Sequence, residues 1–242
     1  MKNPLTGQVA ESTMKAGQYL GLFKFFRERT HLEQFLDGCL YCNTPEYYRR
    51  TAEKGIGDRE ESCLLSVRAA RGDNPFDVEV DGQPAGQASD FLLRMGRKDG
   101  WLHCWAGLIL PGDAREFEKL KNDFRRIQED FGSYYAYVSP EHSHQLLKRI
   151  QSIEPSASAK AVTYYRGGYY GHSVFHKSEQ FAYQREFRIL LGECDSSELT
   201  HRCFKIPGGL RDIVQDCPEI RIIADRQSSG KTLEFTVKPS GD

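Results

Sequence analysis

With 242 residues the chain is long enough to bury a substantial core, as one large domain or two small ones, and a single domain is the simpler reading. Its 33 Lys and Arg nearly cancel its 34 Asp and Glu, for a formal charge of −1, which excludes a global basic field drawing it non-specifically onto nucleic acid or membrane. No stretch approaches the roughly 18 uninterrupted apolar residues of a membrane span, and residues 1–18, which mix Lys2, Glu11 and Lys15 with small residues, lack the apolar core of a signal peptide. They read as a short N-terminal extension of a cytoplasmic protein whose single domain runs from 19 to 242. The seven cysteines are Cys39, Cys42, Cys63, Cys104, Cys194, Cys203 and Cys217. Cys39 and Cys42 are three apart, but no second pair at zinc spacing follows, so all seven read as buried reduced thiols and no metal site is expected.

In chain order, Tyr19 to Phe26 reads as an aromatic-rich strand interrupted by one charge, Lys24. Thr30 with Glu33 three residues on forms a capping box for a short helix with Leu32, Phe35 and Leu36 as its apolar stripe, stopped by Gly38. Cys39 to Asn43 is a second strand, after which Thr44-Pro45-Glu46 turns into the aromatic-basic run Tyr47-Tyr48-Arg49-Arg50. Gly55-Ile56-Gly57-Asp58-Arg59-Glu60-Glu61 is an acidic loop with too few glycines for a phosphate cradle. Leu64 to Ala70 is a strand, and Val78 to Gly82 begins a hairpin with Asp-Gly at its turn. The apolar run Leu102 to Leu110 reads as a central strand. Asp113 then caps a helix in which Phe117, Leu120, Phe124 and Ile127 recur at helical spacing, ending at Gly132. Strand Tyr134 to Val138, helix Pro140 to Ile150 and strand Ala161 to Tyr165 follow.

The glycine-rich loop Arg166 to His172 holds His172 four residues from His176, but the glycines oppose a helix there and no third metal ligand is evident. Further on come a strand at Cys203 to Ile206, a helix at Leu210 to Val214, the strand Ile220 to Ala224 and a closing strand at Leu233 to Val237.

The most informative stretch is Phe181-Ala182-Tyr183-Gln184-Arg185-Glu186-Phe187-Arg188-Ile189-Leu190-Leu191. From Arg185 onward charged and apolar residues alternate, the period of a half-buried strand with Glu186 near its start. On an extended chain Gln184 and Glu186 leave the same face, with Phe187 and Ile189 on the other, so a carboxylate and an amide share one cleft wall. The plainer alternative is a solvent-exposed face on which Glu186 pairs with Arg185 or Arg188.

Taken together, Leu22-Phe23-Lys24-Phe25 opening the fold, the helix-plus-strand Leu32 to Asn43, Gly57-Asp58-Arg59-Glu60, Phe131-Gly132, and Lys177 with Tyr183 to Arg188 resemble the ADP-ribosyltransferase superfamily. More narrowly, they are similar to a bacterial domain family related to the ADP-ribosylating toxins of toxin–antitoxin and phage-defence loci. The resemblance implies an α+β fold with a split, curved, mixed β-core and flanking helices, NAD⁺ as ADP-ribose donor, Glu186 as the group stabilising the developing ribosyl cation, and Gln184 as the residue orienting the acceptor. It further implies that Lys24, Phe25 and Arg27 bind NAD⁺, that Tyr41, Asn43 or Thr44 support the nicotinamide ribose, and that Tyr47 or Tyr48 stacks on the nicotinamide. Neither the His-Tyr-Glu nor the Arg-Ser-Glu triad of the superfamily is intact.

A macromolecular acceptor and a cognate antitoxin are the partners so implied. Arg49, Arg50, Arg166 and Arg185, interleaved with Tyr48, Tyr165 and Tyr169, would offer a path for single-stranded nucleic acid. A non-catalytic nucleotide-binding module and an NAD⁺ glycohydrolase are the alternatives that share this fold.

Overall fold

Aromatic and β-branched runs broken by glycine and proline turns give a mixed α+β architecture, about 40% strand and 26% helix, with several small sheets and no barrel. The structure, a computed structural model, describes residues 15–94, 98–167, 173–226 and 231–239. Its first half contains β1 (Tyr19–Phe26), α1 (Arg29–Leu36), β2 (Cys39–Cys42), α2 (Pro45–Arg50), β3 (Leu65–Arg68), β4 (Phe76–Val80), β5 (Gln83–Ala88), β6 (Asp90–Leu93), β7 (Asp99–Ile109) and α3 (Ala114–Phe131). There follow β8 (Tyr134–Val138), α4 (Pro140–Ile153), β9 (Ser158–Ala161), β10 (Thr163–Tyr165), β11 (His176–Ser178), β12 (Glu186–Cys194), β13 (Arg202–Lys205), β14 (Gln215–Asp216), β15 (Ile220–Arg226) and β16 (Lys231–Val237).

Six strands form the main sheet in the order β14-β8-β1-β7-β12-β9. Every pairing in it is antiparallel, and among the described residues the parallel pairing expected of a mixed core is confined to the small β10–β11 pair. Because side chains alternate across a strand, each sheet face builds its own core. Leu22, Trp105, Val138 and Ile189 pack with α1 and α4 on one side; Phe23, Leu108, Tyr135 and Tyr137 pack with α3 and β16 on the other. The periodicity of α3 is realised as expected. Phe117, Leu120, Phe124 and Ile127 are buried, and the Asp113 carboxylate accepts from the Glu116 N–H at 2.8 Å.

The two central strands keep company for only part of their length. β1 pairs with β7 from Tyr19↔Ile109 as far as Phe23↔Ala106. Beyond that point β1 stays with β8 to Phe26↔Tyr134, and β7 stays with β12 to Asp99↔Cys194. In the gap, Lys24 Nζ donates to the Cys104 carbonyl at 3.0 Å, two residues past the last registered pair, and farther along β7 the Leu102 N–H reaches the Asn43 carbonyl at 2.8 Å.

Several local expectations are corrected. Thr30 does not cap α1: the helix begins at Arg29 with Glu28 at its N-cap, and Glu33 is drawn to Arg29 and Arg211 instead. Tyr47 to Arg50 is helical, because Thr44 caps it through the Tyr47 N–H and Pro45 sits in its first turn, where proline is tolerated. Leu210 to Val214 is a tight turn rather than a helix. The segment containing Leu233 to Val237 pairs with β15 alone and does not join the main sheet.

Nor are all the cysteines thiols. Cys39 and Cys203 are bonded across β2 and β13, whose register puts Lys205 opposite Cys39 and Cys203 opposite Tyr41, so the two cysteines are diagonal neighbours with Cα atoms 5.5 Å apart. A separation of 164 residues hides that proximity from any reading of spacing. None of the described helices is long and apolar enough to cross a membrane.

Gly132, with φ of 106°, ends α3 where a Cβ would lie 2.2 Å from the Phe26 carbonyl. Gly132→Ala is expected to destabilise the fold by about 2 kcal/mol or more through backbone strain and overlap. Urea denaturation measures this, and an unchanged midpoint refutes the packing described.

Candidate functional site

Where β1 leaves β7, a cavity of about 190 Å³ opens on the α3 side of the sheet. It lies beyond the apolar cover that α3 provides: Ile127 and Phe131, near the C-terminal end of that helix, form one wall. Phe25 and the half-buried Tyr47 and Tyr48 supply aromatic faces, the two tyrosines meeting edge to face with ring centroids 5.5 Å apart. The small side chains Ala106 and Cys104 stand opposite Glu186 and Arg188 in the β7–β12 register, which leaves room above the strand for the polar groups.

Glu186 begins β12 and is 7% exposed. Its backbone is pinned on both sides, the N–H donating to Tyr164 Oη at 2.8 Å and the carbonyl accepting from the Val162 N–H at 2.9 Å. Its carboxylate accepts from Arg188 Nε at 2.8 Å through Oε1, and through Oε2 from Lys177 Nζ at 3.0 Å and a terminal nitrogen of Arg188 at 3.3 Å. Burial by itself would push this carboxyl up, but the charges of Arg188 and Lys177 outweigh it and hold the group well below the usual carboxylate range.

Arg188, 1% exposed, also makes a two-pronged contact with the buried Glu61 at 2.5 and 2.7 Å and donates to the Val174 carbonyl. All five guanidinium N–H donors are thereby engaged. Lys177 Nζ further donates to Gln184 Oε1 at 2.7 Å and sits 4.7 Å from the centre of the Phe181 ring.

Gln184 reaches the cavity by a route other than the expected one. It ends a 3₁₀ turn, Glu179–Gln184, and Arg185 takes a left-handed conformation with φ of 49°, so the strand proper starts only at Glu186. The amide is then engaged on every side, its nitrogen donating to the Gly55 carbonyl at 2.5 Å and to Tyr183 Oη at 3.2 Å. Gly55 suits this position because its φ is 79° and a Cβ there would meet the Asp130 carboxylate at 2.7 Å.

Seven of the residues singled out in the sequence line the cavity: Lys24, Phe25, Asn43, Tyr47, Tyr48, Gln184 and Glu186. Arg27, Tyr41 and Thr44 do not. Arg27 lies past the end of β1 and donates to Glu53 and to the Asp130 carbonyl, each at 2.8 Å, clamping the loop after α2 to the end of α3. Tyr41 alternates with the buried Leu40 and Cys42, so it emerges on the outer face of β2, half exposed and stacked on His201 at 4.7 Å. Thr44 serves as the cap of α2 and its hydroxyl donates to the Glu198 carbonyl.

Lys177 and Arg188 were not nominated as site residues. For Arg188 the signal was present, since the alternation that aligned Gln184 with Glu186 aligns Arg188 too. For Lys177 periodicity offers none, because the 3₁₀ turn that brings it back over the strand has no periodic signature, and it enters only among the residues that carry the resemblance. The plainer alternative for Glu186 is realised in part: Arg188 is its partner, but the pair is buried in the cavity wall, not exposed.

The basic path anticipated for nucleic acid dissolves into ion pairs. Arg49 and Arg50 both bind Glu46, at 2.6 and 2.5 Å, Arg166 binds Glu179, and Arg185 reaches Asp123 at 3.3 Å. Tyr165 donates to Glu60 at 2.8 Å, while Tyr169 lies outside the described residues, as does His172. A larger hollow of about 450 Å³ beside Tyr165 is lined by Arg68, Arg71 and Arg166; Glu60, Asp73 and Glu179 answer these cations. Among the described residues no cluster of three or more His, Cys, Asp or Glu has a metal-binding arrangement.

Chemically, the cavity offers one fixed anion and three cations. Lys24 has no carboxylate within salt-bridge distance among the described residues; burial lowers its ammonium from the ordinary lysine value, and neighbouring Cys104, Cys42 and Glu186 pull it back up. The Cys104 thiol is pushed up to about 12, first by burial and then by Glu186, which leaves it protonated and unreactive. Comparison with protein-family models, curated proteins and solved structures found no match to this chain.

Asp58, 4% exposed and held by the Glu60 N–H at 3.0 Å, has its carboxyl raised from 3.8 to about 6 by burial and by the charge of Glu61. Between those values the folded protein retains a proton that the unfolded chain has released, so stability falls as pH rises through that window. The shift corresponds to about 3 kcal/mol. Asp58→Asn, which keeps the acceptor and cannot ionise, is therefore expected to match the parent protein at pH values near 4 and to exceed its stability by about that amount at pH 7. Denaturation curves at the two pH values decide it, and equal stability at pH 7 refutes the shift.

Proposed function

We propose that the chain is an ADP-ribosyltransferase-type enzyme that cleaves NAD⁺ at its nicotinamide–ribose bond, with Glu186 stabilising the transition state. One observation carries the reading: Glu186 is a buried carboxylate, paired with Arg188 and Lys177, on the wall of an aromatic-lined cavity at the point where the two central strands part. That parting is what a split β-core of the ADP-ribosyltransferase kind requires, and it supports the finer fold assignment.

In the reaction, the bond between ribose C1 and the pyridinium nitrogen breaks and its electron pair neutralises the nicotinamide. The ribose passes through an oxocarbenium-like state, and a nucleophile adds to C1 and gives up its proton to solvent. A preorganised anion beside C1 favours that state without having to reorient. Tyr47, Tyr48 and Phe25 offer faces for the nicotinamide ring, and Lys24 is suited to a phosphate oxygen. A cavity of about 190 Å³ is smaller than those that enclose whole drug-sized ligands, so the nicotinamide end is enclosed and the adenosine end lies along the mouth.

The engaged amide of Gln184 favours water as the acceptor over a macromolecule selected by that residue. Both its N–H groups are used on the Gly55 carbonyl and Tyr183, and its oxygen already accepts from Lys177, so one lone pair of Oε1 is all it has left with which to orient an incoming nucleophile. Transfer to a protein or a nucleic acid, in the manner of a toxin or anti-phage effector, remains the second reading, with recognition supplied outside the cavity.

Glu186→Gln should lower nicotinamide release from NAD⁺ by at least about 10²-fold, in line with other preorganised electrostatic contacts, while NAD⁺ still protects the variant against thermal unfolding. Chromatographic detection of nicotinamide measures the first quantity. Undiminished release would sink the assignment, and radiolabelled NAD⁺ separates the two acceptors, free ADP-ribose marking hydrolysis and labelled macromolecule marking transfer.

A further inference from the structure

We infer that Lys24 is a carbonyl-capturing amine, whose Nζ forms an imine with an aldehyde carried on a small aromatic ring inside the cavity. This goes beyond the NAD⁺ reading and does not depend on it. Lys24 and Lys177 both line the cavity, but they are held differently. Lys177 is ion-paired with Glu186 at 3.0 Å and donates to Gln184 at 2.7 Å. Lys24 has no carboxylate within salt-bridge distance among the described residues, and its hydrogen bond runs to a neutral acceptor, the Cys104 carbonyl, at 3.0 Å. That position disfavours the ammonium, because a buried cation without a paired anion is destabilised relative to its neutral form. Burial lowers the group from the ordinary lysine value, and Cys104, Cys42 and Glu186 restore it only in part. A lysine so placed carries a free lone pair more often than one in water, which is what makes a buried amine a nucleophile for carbonyl compounds.

The other walls fix the class of carbonyl compound. Phe25, Tyr47 and Tyr48 present aromatic faces, Ala106 and Ile127 add apolar surface, and a space of about 190 Å³ suits a single ring with one substituent. An aldehyde fits better than a ketone, because the carbon under attack bears a hydrogen where a ketone bears a second carbon. In the reaction the Nζ lone pair adds to the carbonyl carbon and the carbonyl π electrons move onto oxygen. A proton passing from nitrogen to that oxygen completes the carbinolamine. The nitrogen lone pair then expels the hydroxyl group, the second nitrogen proton leaves with it, and the products are one imine and one water. No oxidant or reductant takes part.

The test incubates the folded protein at neutral pH with benzaldehyde and sodium cyanoborohydride, then maps the modified lysines by peptide mass spectrometry. The reagent delivers hydride to the imine carbon and water supplies a proton to the nitrogen, which fixes the adduct as a benzylamine. Lys24 is expected to label at least about tenfold faster than any other lysine, as a tenfold larger fraction of free amine would give. The preference is expected to vanish in urea, where Lys24 is as exposed as the rest. Acetaldehyde, which has no ring, is expected to favour Lys24 less than benzaldehyde does, and Lys24→Arg to label only at its other lysines. Labelling of Lys24 no faster than the surface lysines overturns the assignment, as does a preference that persists in urea. Equal selectivity of the two aldehydes overturns the aromatic class of the ligand. Should Lys24→Arg fail to fold, the map of the parent protein decides by itself.

Discussion

The guanidinium of Arg188 lies between two carboxylates with almost no water in reach, and the far wall of the cavity is fixed by that arrangement. Burying a charge costs several kcal/mol unless it is paired and hydrogen-bonded, and losing one member of such a group is costlier than replacing the whole. Glu61, Arg188, Glu186 and Lys177 meet the condition jointly: two anions and two cations cancel, and each guanidinium N–H has an acceptor. The contacts span distant parts of the chain. They join the acidic loop after α2, the carbonyl of Val174, the short strand β11 and the start of β12.

The second constraint is the divergence of β1 from β7. A strand that loses its neighbour leaves backbone groups without partners, and such groups are rarely left so when buried. Here a side chain answers for the missing strand, with Lys24 Nζ on the Cys104 carbonyl, while Asn43 takes up the Leu102 N–H farther along. The consequence is a gap lined by strand residues. Aromatic side chains fill its rim because α2, started by Thr44 and Pro45, turns Tyr47 and Tyr48 toward it.

Much of this was legible from residue pattern, for physical reasons that differ by element. The helix α3 announces itself through four apolar residues at helical spacing and an Asp cap, and the β4–β5 hairpin through Asp81-Gly82, which occupy the positive-φ positions of a tight turn. Glu186 stood out because an acid on a half-apolar strand needs a reason. Less visible was whatever depends on contacts between distant segments. Glu33 has the spacing of a capping partner, yet the arginines that claim it include one from the far end of the chain. Gln184 was placed correctly beside Glu186 for the wrong reason, since a 3₁₀ turn rather than an extended strand delivers it. Each arginine of the basic track has an acidic partner, and charge counted along a sequence says nothing of the carboxylates that folding brings opposite it.

Pairing Glu186 with Arg188 looks at first like a poor way to build the group proposed above to stabilise positive charge. Burial, however, acts on that carboxyl before anything else, and by itself would favour the protonated, neutral form. A neutral acid offers no anion to an oxocarbenium ion, so some cation has to be present. With Arg188 continuing back to Glu61 and Lys177 on the other oxygen, the quartet is neutral overall while Glu186 stays a carboxylate on the cavity wall. Opposed charges of this kind cancel at long range but not at contact, where the Coulomb energy rises as the inverse of distance. On the NAD⁺ reading proposed above, a ribosyl cation in contact with this carboxylate would feel its charge at short range, so the price of keeping Glu186 ionised is a shorter reach of its field rather than the loss of its sign.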